Sequence, residues 1–313
     1  MSNEAKNIWQ HKAINGWNLV WLISVPMSIV IVIEMLQTGI SSGEEISHMI
    51  GYAVRFAVPI LYVVVVAAAL PVLFPGAFST WCLRNRKYIG FGFAVAMAWQ
   101  GAFIFMMSNY FREYYFEDIY LFRNELEGST GYIFLAAMVV TSFQLGRKYL
   151  NPTQWKLLHR SAIYFLWAYA FSVYWWQVSG YYGTAPQMYH YVFYVAGFLA
   201  FALRIAAWGK KRLQKLKNEM PESSIPMTSR MLGGTMVALG LLLSVTAHQW
   251  QAPVSAFLTT PAWSATLESW LPYWPFEPWI ALFLIGVGTY FLSTPKANML
   301  SQRLSEEPAS ELG

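Results

Sequence analysis

The chain contains five histidines, and imidazole is a side chain well suited to ligate haem iron or a transition metal near neutral pH. Their positions sort them. His48, His190 and His248 each fall at one end of a long apolar run, all three at the same depth and on the same side. His159 stands apart at the opposite side, within Trp155-Lys156-Leu157-Leu158-His159-Arg160. His11 lies in a polar N-terminal tail. His159, His48, His190 and His248 are therefore the candidates for holding a cofactor, although a polar interface also suits histidines that bind nothing. The metal, if one is held, is left open by these residues. Glu34 and Arg55 are also unusual, because both are charged and fall near the ends of apolar runs. Charges inside a bilayer pair with one another, so an ion pair is expected between them. Cys82 is the sole cysteine, which rules out an intramolecular disulfide and a Cys-x-x-Cys site. Gly-rich phosphate loops, His-Glu-x-x-His and a nucleophile elbow are also absent. No catalytic residue is assigned, and electron transfer is the most that these residues allow.

Such residues must be positioned by apolar elements. The 313 residues are 56% hydrophobic and 12% charged, against about 25% charged in ordinary soluble domains. Crossing a hydrocarbon core of ~30 Å takes about 20 apolar helical residues. Eight such runs occupy 17–38, 50–73, 88–108, 130–147, 159–178, 188–208, 231–248 and 278–294. Backbone in lipid must satisfy its own hydrogen bonds, so these runs predict helices and an all-α integral membrane protein. Of the 21 Lys and Arg residues, Arg55 lies inside a run and Arg112 and Arg123 lie on one side. All the others fall on the other side: in the tails, in the loops around 84–87 and 147–160, and in 204–230. Positive charge marks the cytoplasmic face. Both ends are thus expected in the cytoplasm, with the chain in a bacterial-type plasma membrane.

The local signals agree. Ser42 and Glu45 form the pattern of a capping box opening the second helix. Residues 209–230 read as a basic, proline-containing cytoplasmic linker, suited to anionic headgroups or to a soluble partner. Residues 249–277 are a tryptophan-rich outer loop expected to lie on the membrane interface. Gly233, Gly234, Gly240, Gly286 and Gly288 suit close helix packing in the last two helices. The chain thus divides into a tail at 1–16, six helices over 17–208, the linker at 209–230, two helices over 231–294 and a tail at 295–313.

Three stretches carry a family likeness: His48-x-x-Gly51, Arg84-Asn85-Arg86-Lys87 leading into Ile89-Gly90-Phe91, and Trp155-Lys156-x-Leu158-His159-Arg160-x-x-x-Tyr164. With the six-helix hydropathy, residues 17–208 resemble the ferric-reductase-like transmembrane domain. The nearest likeness is to its bacterial branch, the haem-binding membrane subunit of periplasmic methionine-sulfoxide reductase. The resemblance implies b-type haem clamped by histidines between the third and fifth helices. Here those positions carry Gln100 and Ser172. Gln100 lies thirteen residues past Lys87, and Ser172 thirteen past His159. At ~1.5 Å per residue, both sit ~20 Å from the cytoplasmic face. Neither is a usual haem ligand, and a Gln100–Ser172 hydrogen bond is expected instead. The flavin and nicotinamide domains fused to some family members have no counterpart here.

These patterns point first to a cofactor-poor structural or assembly subunit of a redox or energy-converting membrane complex. A haem-binding electron-transfer subunit with non-standard ligands is the alternative, so haem b stays open. A transporter is a third reading. The expected partners are the lipid bilayer and other membrane-protein subunits; nucleic acid is not expected.

Overall fold

The computed structural model describes residues 8–180, 183–220, 223–271 and 273–295. Of the expected tails at 1–16 and 295–313, residues 1–7 and 296–313 lie outside these residues. Among the described residues every regular element is helical. The long helices are α1 (Trp17–Thr38), α2 (Gly43–Val66), α3 (Ala77–Tyr110), α4 (Phe122–Thr141), α5 (Pro152–Ser179), α6 (Met188–Glu219) and α7 (Met227–Val245). They are followed by α8 (Ala247–Thr259), α9 (Ala262–Trp270) and α10 (Ile280–Leu292). Five of the helices, α1, α2, α3, α6 and α7, are long and apolar enough to cross a membrane. The segment Glu277–Leu292 is apolar but shorter.

Helix starts follow local chemistry. Ser42 Oγ accepts the Glu45 amide at 3.2 Å, and Glu45 Oε2 accepts the Ser42 amide at 3.2 Å, which is the expected capping box. Asn151 and Gln154 make a second reciprocal pair at the start of α5, with Pro152 in the first turn.

Helix ends depart from the hydropathy limits because charged residues continue helices well. The basic stretch 84–87, expected in a loop, is inside α3, which begins just after Pro75 and Gly76. Helix α6 likewise runs on through Gly-Lys-Lys-Arg-Leu-Gln-Lys-Leu-Lys-Asn-Glu to Glu219. The first half of the expected linker is therefore helix, adding about 16 Å of length. Lys, Arg, Leu and Gln are all strong helix formers, and Pro221 is the first residue that cannot continue the helix. The stretch 249–277, expected as an outer loop, is likewise built largely of α8 and α9 among its described residues. In the fourth run the helix sits earlier than expected, ending at Thr141. A separate turn at Gln144–Arg147 follows it.

Packing is densest between α2 and α3 and between α7 and α10. In the second pair, glycine lets backbones touch. A Cβ at Gly233 would lie 2.7 Å from the Gly288 carbonyl oxygen, and one at Gly240 would lie 2.6 Å from that of Ala281. Gly234 and Gly286 face open space, so the packing role belongs to Gly233, Gly240 and Gly288. The buried core is centred on Trp167, Phe171, Trp175 and Tyr194, from α5 and α6, against Tyr62 and Val65 of α2. The N-terminal segment is tied to the basic end of α3. Arg84 donates to the Trp9 carbonyl at 2.7 Å, Asn85 donates to Asn15 Oδ1 at 2.8 Å, and Trp81 Nε1 donates to the Ile14 carbonyl at 2.9 Å.

Candidate functional site

The histidines do not assemble. On one side, His48 of α2 places Nε2 2.9 Å from Glu34 Oε1 of α1. His190 of α6 turns its Nδ1 to accept the Gln187 amide at 2.9 Å, as part of that helix's own cap. Between them runs a ladder of rings and one cation. His48 stacks on Tyr52, and the Arg55 guanidinium lies 5.9 Å from the Tyr52 ring and 4.6 Å from the Tyr189 ring. Tyr189 in turn packs on His190 with ring centroids 4.0 Å apart. A fixed positive charge between two imidazoles opposes a shared metal. His248 is exposed on α8. No group of three His, Cys, Asp or Glu side chains among the described residues is arranged to hold a metal ion.

The expected Glu34–Arg55 ion pair does not form. Glu34 reaches the nearer basic partner, His48, and Arg55 is held by aromatic faces instead. Cation–π contact supplies a guanidinium with attraction without requiring a carboxylate.

The level implied for haem is filled by other bonds. The Tyr132 hydroxyl of α4 lies 3.0 Å from Gln100 Oε1 and 3.1 Å from the Met97 carbonyl, sharing one proton between them. Ser172 is fully buried and donates to the Ala168 carbonyl of its own helix at 2.7 Å. The expected Gln100–Ser172 bond is thus replaced by two separate ones. A serine hydroxyl in a helix reaches the carbonyl four residues back more readily than a neighbouring helix. Helices α3 and α5 are not close-packed partners, since α3 lies against α2 and α1 while α5 lies against α6 and α4. His159 is also engaged. Thr141 Oγ1 donates to the Ala137 carbonyl at 2.6 Å and lies 3.0 Å from His159 Nε2, the nitrogen that haem ligation would need free. The residues present do not fit a haem clamped at this level.

Compared with known proteins, the chain matches no family model, no curated protein and no solved structure.

His159 instead belongs to a cavity of about 830 Å³ at the basic end of the bundle. Its wall comes from α3 (Arg86, Lys87, Phe91), the end of α4 (Leu135, Met138, Val139), α5 (Lys156, His159, Arg160), Arg147, and single residues of α2 and α6, Val64 and Arg204. Three of the cations are held by neutral oxygens. Lys87 donates to the Ser142 carbonyl at 2.7 Å, and Arg147 donates to that of Leu150 at 2.8 Å. Arg204 donates to the Val65 carbonyl at 2.8 Å and to the Tyr164 hydroxyl at 2.7 Å. The Val65 carbonyl is available because α2 ends there, so Arg204 acts as a cap supplied from α6. Trp155 stacks on His159 at 4.3 Å and lies under the Arg147 guanidinium at 5.1 Å, forming an aromatic wall.

Proposed function

We propose that this chain is an eight-helix membrane subunit of a larger redox or energy-converting complex, cofactor-poor rather than a haem conduit. In this reading α4, α5 and the segment 277–292 cross the bilayer together with the five longer apolar helices. The basic ends of the helices face the cytoplasm, and α8 and α9 lie on the opposite surface. The ferric-reductase-like resemblance of 17–208 supplies the ancestry, and α7 with α10 is an added helix pair.

One observation carries the reading. Where the family resemblance implies a haem between two imidazoles, Gln100 is bonded to Tyr132 and Ser172 to its own helix. Buried polar groups already paired in this way give a metal porphyrin no ligand, and opening them would leave polar atoms unsatisfied.

The test is a visible spectrum of the detergent-purified protein, oxidised and dithionite-reduced, with a pyridine haemochrome assay. A colourless protein from haem-supplied cells is expected. A Soret band with near-stoichiometric haem would overturn the proposal.

A further inference from the structure

The cavity at the basic end presents six cationic side chains, Arg86, Lys87, Arg147, Lys156, Arg160 and Arg204, and no acidic one. Half of them are satisfied by carbonyl or hydroxyl oxygens, which accept hydrogen bonds but do not neutralise charge. Arg86, Lys156 and Arg160 have no hydrogen bond or ion pair to any described residue.

Among the described residues the helices that build the cavity supply no counter-charge. No Asp or Glu occurs between Glu45 and Glu113, or between Glu127 and Glu219. These two stretches contain all of α3 and α5 and the whole of α6 up to its last residue. Helix α4 has its acidic residues, Glu125 and Glu127, in its first two turns, at the end away from the cavity. Repulsion among cations at this density favours an anion between them. Beside the cations the wall has an apolar part: Val64, Phe91, Phe93, Leu135, Val139 and Ile163. A free inorganic ion would leave that surface in water, whereas a ligand with an anionic head and a hydrocarbon body would cover both parts.

We infer that this cavity binds an anionic phospholipid, its phosphate held by Arg86, Lys156 and Arg160 and its acyl chain against the α3–α4–α5 apolar wall. Arg86 and Arg160 offer planar forks suited to phosphate oxygens, and Lys156 stands one turn from Arg160 on the same face of α5. The inference does not depend on the subunit reading, because it concerns a different part of the bundle from the Gln100–Ser172 level.

Native mass spectrometry of protein taken from nanodiscs of mixed phosphatidylglycerol and phosphatidylcholine tests it. Retained phosphatidylglycerol is expected to exceed phosphatidylcholine. The variant Arg86→Gln/Lys156→Gln/Arg160→Gln should lose at least about tenfold of that preference, given what each basic residue contributes near an anionic surface. If that variant fails to fold, Lys156→Gln/Arg160→Gln alters two exposed positions of α5 and should lose part of the preference. A second variant, Lys210→Gln/Lys211→Gln/Lys217→Gln, removes as much charge from the α6 extension outside the cavity and should lose much less of the preference. Equal retention of both lipids, or equal loss in both triple variants, would overturn the site. Displacement of the lipid by millimolar inorganic phosphate alone would identify a soluble anion as the ligand and overturn the amphiphile.

Discussion

Arg204 joins three elements through one side chain. Its guanidinium caps the Val65 carbonyl at the end of α2, bonds Tyr164 of α5 and stands over the Tyr164 ring at 4.7 Å. Arg204→Met keeps an unbranched apolar stem and removes all three interactions, leaving the Val65 carbonyl without its donor. Losing a half-buried partner of this kind costs about 1–3 kcal/mol. The expected result is a lower thermal midpoint in detergent, with faster amide exchange confined to the end of α2 and residues 67–73. Tyr164→Phe should cost less, because the Val65 bond survives. Equal effects from the two changes would mean that the tyrosine, rather than the helix cap, is what Arg204 serves.

Residue chemistry was legible in the sequence to differing degrees. The Ser42–Glu45 cap follows from two residue types three apart, a wholly local relation, and it is present. The Glu34–Arg55 pair required knowing which side chains face one another across α1 and α2. Sequence depth alone placed Arg55 near Glu34, but His48 has the shorter reach. The cationic cavity was visible only as parts. In the sequence Arg86, Lys87, Arg147, Lys156 and Arg160 read as orienting charges of two loops, and nothing in their spacing says that α3 and α5 bring them to one wall. The absence of acidic residues across the same stretches was the available signal.

Among the elements, the α7–α10 pair is the sharpest case of backbone contact. Any side chain at Gly233 or Gly240 meets a carbonyl oxygen rather than a yielding side-chain tip. Gly240→Leu is expected to push the two helices apart and lower the thermal midpoint, by about 1–3 kcal/mol for overpacking of this sort. Gly234→Leu, on a face with no neighbour within 4 Å, should leave it unchanged. If both variants behave alike, close packing is not what holds this pair. Helix interiors were readable from hydropathy because lipid and core demand the same apolar residues. Helix ends were not, because the Lys- and Arg-rich stretches that end an apolar run are themselves good helix formers, as α3 and α6 both demonstrate.

At the scale of the whole molecule, the charge asymmetry makes the proposed orientation measurable. Cys82 is buried and is the sole thiol, so Cys82→Ser gives a background without cysteine. In that background Lys215→Cys on α6 and Trp263→Cys on α9, both at exposed sites, report opposite faces. A membrane-impermeant maleimide added to intact cells is expected to label position 263 and to spare 215 until the membrane is opened. The reverse pattern would invert the topology, and labelling of both would break the eight-span count.

The bonds between residues 9–15 and the start of α3 set an order of assembly. Arg84, Asn85 and Trp81 are the partners of the N-terminal segment, so about seventy residues separate the two sides of each bond. In the proposed topology, α1 and α2 enter the bilayer before the groups that fasten the start of α1 have been synthesised. The first helix then begins its life as a loosely hinged element and is latched at its N-terminal end when α3 arrives.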